Sequence, residues 1–410
     1  MGIAEQTLIV LAVMAVLFVT EIIPLAITSL GGAITLGLMG IITPKVVFSG
    51  LSDSTVVLFA GMFVVGAALF YTGLAQKIGE TVVSRAGTNE NSLMLAIMVI
   101  TAIMSAFLSN TGTTAALLPV VVGICAVAKI PASRQLMPMA FAAGVGGINT
   151  MVGTPPNIIV SGTLAKFGLT QFGFFEFAWI GIPLTIATIV FMMLIGKHLL
   201  PNHEITDAGE VEQEVAAEDI SNDPKKQLFS GLILLGVIIA MILGDFLGDF
   251  LKGYGINLPL SMVAVIGAML CVLTGCLNER QAYTSIDWVT IFLFAGMMPV
   301  ATALDQSGAG KMIANSVIGV IGDNPSPYFA IAVLFILSCV MTQFMSNTAS
   351  SALLAPIGIS IAQGMGADPH AVLMAIGIAA SCAFGTPVGT PPNTLVLGPG
   401  QYKFTDYVKA

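Results

Sequence analysis

Apolar runs about twenty residues long, such as "LFSGLILLGVIIAMILGDFL" from Leu228, recur along this chain, and a helix of that length crosses a hydrocarbon core roughly 30 Å thick. Lipid offers no partner to a backbone N–H or C=O, so only helices or closed barrels span it. No ten-residue alternation of apolar and polar positions points to a barrel. An all-α polytopic membrane protein is the expected class. Composition agrees, with 56% hydrophobic and 9% charged residues against about 25% charged in a soluble domain. The first apolar segment lacks a basic n-region and a small-residue cleavage site, and is expected to stay in the mature protein.

The chain repeats itself. "LFAGM" at 58–62 returns at 293–297 and Gly73 returns as Gly308, both displaced by 235, while "GTPPN" at 153–157 returns at 389–393, displaced by 236. "SNTGTTAALLP" at 109–119 returns as "SNTASSALLAP" at 346–356. We read residues 1–197 as a first repeat, the acidic stretch within 198–227 as a linker, and 228–410 as a second repeat. Much of the net charge of -8 lies in that linker, so it marks no basic partner, and nucleic acid is not expected as a ligand.

In the first repeat, crossings are expected near 4–23, 26–42, 55–72, 136–165 and 174–196, with an apolar pair at 92–108 and 112–128 joined by Ser109, Asn110 and Thr111. That pair carries no charge at its turn and reads as a re-entrant hairpin, 92–128, matched by a second at 328–364. Five crossings are an odd number, so the second repeat enters inverted. Lysines and arginines collect on cytoplasmic loops, and a model with the N-terminus outside and the linker cytoplasmic puts ten of them inside against four outside. The second repeat ends without a partner for the crossing at 174–196, so the final helix is expected to be missing.

Polar groups left unpaired in hydrocarbon cost several kcal/mol each, so two matched, oppositely directed Ser-Asn-Thr tips must face protein, water or a ligand. Tandem prolines break a helix but suit its first turn, so Thr154 and Thr390 are expected to cap half-helices starting at Pro155 and Pro391. The broken crossings are then 136–165 and 371–397. Such breaks expose carbonyls that coordinate a cation and helix N-termini that attract an anion. Between Asn91 and Ala165 the only ionised residues are Lys129 and Arg134, and between Pro327 and Gly400 only Asp368. A proton-coupled cation antiporter would use intramembrane carboxylates, so that class is disfavoured. Neutral hydroxyls, amides and carbonyls suit Na⁺ together with a small anion. The five cysteines read as buried hydrophobes, and no GxxxxGK[ST], HExxH or GxSxG motif anchors an enzyme.

Two SNT hairpins, two TPP breaks, inverted halves and a cytoplasmic linker resemble the divalent anion:sodium symporter (DASS) family of dicarboxylate, citrate and sulfate transporters over nearly the whole chain. The resemblance implies one Na⁺ site at Ser105, Ser109, Asn110 and Gly153, and a second at Thr342, Ser346, Asn347 and Gly389. It implies substrate contacts from Ser109, Asn110, Thr111, Ser346, Asn347, Thr348, Thr390 and Pro391, with no catalytic residue. Ser105 and Thr342 each stand four residues before an SNT serine, one helical turn along the same arm, which agrees with a ligand role. The expected function is sodium-coupled symport of a small dianion, a C4-dicarboxylate foremost, by a homodimer in the plasma membrane. A sodium-independent exchanger of the same fold is the alternative.

Overall fold

The structure, a computed structural model, describes residues 2–87, 89–203, 220–243, 259–321 and 326–410. Most of the acidic linker, and Lys252, lie outside the described residues. All regular elements described are helical. The first part of the chain forms α1 (Ile3–Thr20), α2 (Leu25–Leu38), α3 (Ser54–Tyr71), α4 (Leu74–Arg85), α5 (Glu90–Ser105), α6 (Asn110–Ala128), α7 (Leu136–Gly147), α8 (Pro155–Lys166) and α9 (Ala178–Phe191). The second forms α10 (Pro224–Ile242), α11 (Leu260–Leu273), α12 (Trp288–Ser307), α13 (Ala309–Ile321), α14 (Pro327–Met341), α15 (Asn347–Met365), α16 (Pro369–Ala380), α17 (Pro391–Leu397) and α18 (Phe404–Lys409). Six of the described helices are long and apolar enough to cross a membrane: Ile3–Thr20, Ser54–Tyr71, Asn110–Ala128, Ala178–Leu199, Pro224–Ile242 and Trp288–Ser307.

Two local features differ from the sequence reading. The turn of the first hairpin lies at residues 106–109, so Asn110 and Thr111 open α6 instead of forming the connection. Ser109 explains the shift: its backbone is extended (φ -63°, ψ 145°) and its hydroxyl accepts from the Gly112 N–H at 3.1 Å, which fixes the helix start one residue later. The second difference is α4, where the sequence reading placed no element. It buries Ala75, Gly79 and Val83, spaced four apart, and exposes Lys77, Glu80 and Arg85, a one-sided helix too polar to register as an apolar run.

The chain divides into two compact units that cut across the sequence repeats: Met1–Val57 with Pro155–Gly173 and Asp287–Ala383, and Leu58–Thr154 with Phe174–Ile286 and Phe384–Ala410. In the first unit α2 packs along α12, and α14, α15 and α16 pack on one another. Joining them is α8, which lies against α15 and α16 although it comes from the first repeat. The second unit mirrors this. Here α5, α6 and α7 pack together, and α17, from the second repeat, lies against α6 and α7. Each hairpin is thus completed by the half-helix that follows the break in the other repeat.

A buried core in the second unit runs through Leu93, Ile97, Leu117, Val121, Met137 and Phe141 to Val396, Tyr402 and Tyr407. Tyr402 pins the start of α7: its hydroxyl accepts from the Met137 N–H at 2.8 Å and donates to the Ser133 carbonyl. Burial pushes the Tyr402 phenol well above its usual range, so it remains a donor at any physiological pH. Tyr407 donates likewise to the Asn393 carbonyl in α17, at 2.7 Å. Replacing Tyr402 by Phe strands a buried N–H and a carbonyl at a helix start, which costs about 1–3 kcal/mol. The Y402F protein should therefore melt several degrees below wild type in detergent, measured by tryptophan fluorescence or dye binding.

Candidate functional site

The hairpin tip of the second unit brings Ser105, Asn110 and Gly153 together. Ser105 closes α5 and Asn110 opens α6, and the Ser105 hydroxyl lies 2.6 Å from Asn110 Oδ1 and 2.8 Å from the Ala143 carbonyl of α7. A hydroxyl, an amide oxygen and a backbone carbonyl, all uncharged, thus meet at one point of the tip. Past Gly147 the chain unwinds until Pro155 starts α8, and carbonyls freed from the helix turn inward. A Cβ on Gly147 would fall 2.2 Å from Asn110 Oδ1 and 2.9 Å from the Gly153 carbonyl. A Cβ on Gly153 would fall 2.4 Å from the Gly147 carbonyl and 2.9 Å from that of Ser105. Side-chain and carbonyl oxygens therefore converge on a cradle that tolerates only glycine. Its donors are all neutral oxygens, which fits a hard monovalent cation and offers nothing to a soft metal.

Thr150, which the sequence reading did not single out, holds this loop. Its hydroxyl donates to the Ala106 carbonyl at the hairpin turn and accepts from the Gly153 N–H at 3.1 Å. Thr386 accepts in the same way from the Gly389 N–H at 3.2 Å. A signal was available: the repeat extends upstream as T-x-V-G-T-P-P-N at 150–157 and 386–393.

In the first unit the other hairpin repeats the local geometry. Ser346 is the N-cap of α15 (φ -61°, ψ 147°) and accepts from the Ala349 N–H at 3.1 Å. Thr342 Oγ1 lies 2.7 Å from Asn347 Oδ1 and 2.6 Å from the Ala380 carbonyl, the counterpart of Ala143. The Gln343 amide donates to the carbonyls of Cys339 and Cys382, both at 2.9 Å, tying the start of the unwound segment to α14. Thr342, Ser346, Asn347 and Thr348 belong to this unit, whereas Gly389, Thr390 and Pro391 belong to the second. Among the substrate candidates, Thr111 and Pro391 are exposed, Ser109, Ser346, Asn347 and Thr348 half-buried, and Asn110 and Thr390 buried.

The expected capping by Thr390 does not occur. Thr390 sits at the N-cap of α17 with an extended backbone, but its side chain makes no cap bond. Pro391 and Pro392 have no N–H to offer, and the first available donor, Asn393 N–H, goes to the Thr390 carbonyl at 3.1 Å. The Thr390 hydroxyl is left for another partner. Asp287 caps α12, accepting from the Thr290 N–H at 3.1 Å. Asp53 accepts from the Thr55 N–H at 2.9 Å and pairs with Lys166 at 3.2 Å.

The profile of the citrate transporter family, CitMHS, matches residues 15–371. An uncharacterized transporter of Haemophilus influenzae is 32% identical, over 99% of this chain and 87% of its own. The uncharacterized transporter YfbS of Escherichia coli is 28% identical over 97% of this chain and 94% of its own. The sodium-dependent dicarboxylate transporter SdcS of Staphylococcus aureus is 25% identical over 94% of this chain and 78% of its own. Among solved structures, the Alcanivorax borkumensis YdaH transporter shares the fold, with a TM-score of 0.59 at 16% identity over 92% of this chain and 83% of that one.

Proposed function

We propose, from the premise that this chain belongs to the citrate transporter family, that it imports a small divalent anion, a C4-dicarboxylate foremost, together with Na⁺ by alternating access. Membership makes it a membrane transporter and not an enzyme. The sodium-dependent dicarboxylate transport named for the SdcS relatives supports the finer reading. The observation that carries it is the cluster of neutral oxygens at Ser105, Asn110, Ala143, Gly147 and Gly153, whose hairpin half recurs at Thr342, Asn347 and Ala380.

In this reading each hairpin does two things. Its oxygens replace the hydration shell of a Na⁺ ion, while the start of α6 or α15, with Thr111 or Thr348, offers the positive end of a helix to an anion. Cations bound behind each tip neutralise the substrate's charge and strengthen its binding, which couples the two fluxes. Each Na⁺ moving down a tenfold gradient and about 100 mV supplies roughly 1.4 plus 2.3 kcal/mol. The dianion itself moves against that potential and cancels the electrical part, so two ions, each contributing about 1.4 kcal/mol, would concentrate it about a hundredfold. The plasma membrane, with the N-terminus outside, and a homodimeric assembly complete the proposal, the former supported by the ten-to-four distribution of basic residues.

Uptake of labelled succinate, citrate and sulfate into proteoliposomes under an imposed Na⁺ gradient tests it. Succinate should accumulate only with sodium outside. Succinate counterflow that is indifferent to sodium would replace symport by exchange, and uptake of sulfate alone would replace the substrate class.

A further inference from the structure

Within a helix a serine or threonine hydroxyl usually donates to the carbonyl four residues back. Thr114 does so to Asn110 and Ser351 to Asn347, each at 2.9 Å. Their neighbours Thr113 and Ser350 do not. Both are 0% exposed, and neither hydroxyl has a hydrogen-bond partner among the described residues. Buried polar groups are rarely left unanswered, and here the same orphan occurs at equivalent positions of the two repeats, each three residues after an SNT asparagine. Chance packing does not readily place one defect twice in that register.

Position narrows the missing partner. Residues three apart share a helix face, so Thr113 lies one turn deeper than Asn110, and Ser350 one turn deeper than Asn347. Exposure falls along the first tip from the exposed Thr111 through Asn110 at 8% to Thr113 at 0%. An organic dianion cannot follow that path without dragging its second charged end out of water. A single dehydrated cation can, and a hydroxyl oxygen offers it lone pairs.

We propose that Thr113 and Ser350 are further oxygen ligands of the coupling cations, one in each unit, completing from below the cradles at Asn110 and Asn347. This inference rests on the sodium-coupled reading above. On it, the anion occupies the mouth of each tip, where the helix N-terminus favours it, and the cation occupies the depth.

Isosteric removal separates this from a packing defect. Thr113→Val and Ser350→Ala should each raise the half-saturating Na⁺ concentration for succinate uptake about tenfold, as expected for losing one contact to a charged group. The succinate KM at saturating sodium should stay at the wild-type value, and the rise in melting temperature that NaCl gives over choline chloride should shrink. Thr113→Ser, which keeps the oxygen, should restore the sodium response. An unchanged sodium response with a higher melting temperature in both salts would overturn the inference, because relieving an idle orphan stabilises. So would a raised succinate KM with sodium dependence intact. A wild-type protein indifferent to sodium would instead overturn the coupling reading and this inference with it.

Discussion

Alanine at Asn110, or at Asn347, should reduce sodium-driven uptake at least a hundredfold while leaving the amount of protein in the membrane unchanged. Asn110 Oδ1 is the side-chain oxygen at the centre of the first cluster, 2.6 Å from the Ser105 hydroxyl, and Asn347 holds the matching place 2.7 Å from Thr342. A contact between a polar group and an ion is worth about 1.5–3 kcal/mol, and the same amide would also meet the anion, so one truncation removes two such contacts. The fold should survive, because Ser109 and Ser346, not the asparagines, cap α6 and α15. Uptake into proteoliposomes, normalised to reconstituted protein, measures the first part, and size-exclusion behaviour in detergent the second. Normal transport by both variants would remove the hairpin tips from the site.

Gly153→Ala should have an effect of similar size for a different reason. The backbone of Gly153 is not in the left-handed region, so alanine meets no conformational penalty, and the entire effect is steric. Its methyl would sit 2.4 Å from the Gly147 carbonyl, closer than any real Cβ approaches an oxygen, and 2.9 Å from that of Ser105. Because both neighbours are backbone atoms, the unwound loop must move, and a strained repacking costs typically about 1–3 kcal/mol while pulling the carbonyls off the cation. Sodium-dependent uptake should be lost, and NaCl should no longer protect the variant against heat. Gly123→Ala is the matched control: it lies in α6 with nothing within 4 Å of the added methyl, and there alanine should leave transport unchanged and, as the better helix former, slightly raise stability.

Much of this was legible from residues alone because the signals are local. The apolar runs at 92–108 and 112–128 correspond to α5 and α6, and those at 4–23 and 55–72 to α1 and α3. Tandem prolines mark the starts of α8 and α17 because they suit only a first turn. Ser105, Asn110 and Gly153 stand together in the second unit, and Thr342 and Asn347 in the first. Other members of these clusters carried no such mark. Ala143, Gly147 and Ala380 contribute carbonyls, and every residue has one, so a sequence cannot say which of them turn inward. The amphipathic α4 escaped for the opposite reason, its polar face diluting the apolar positions that pack it.

Residue order alone is enough for the helical membrane class, the doubled SNT and TPP elements and the uncharged character of their surroundings, because run length, proline chemistry and side-chain type act over a few residues. That α8 completes the hairpin of the second repeat, and α17 that of the first, emerges from the packed helices and not from residue order. Which half-helix fills a gap depends on packing between segments far apart in the chain, and that choice is made by shape and by the pairing of freed backbone groups, neither of which has a period or a motif.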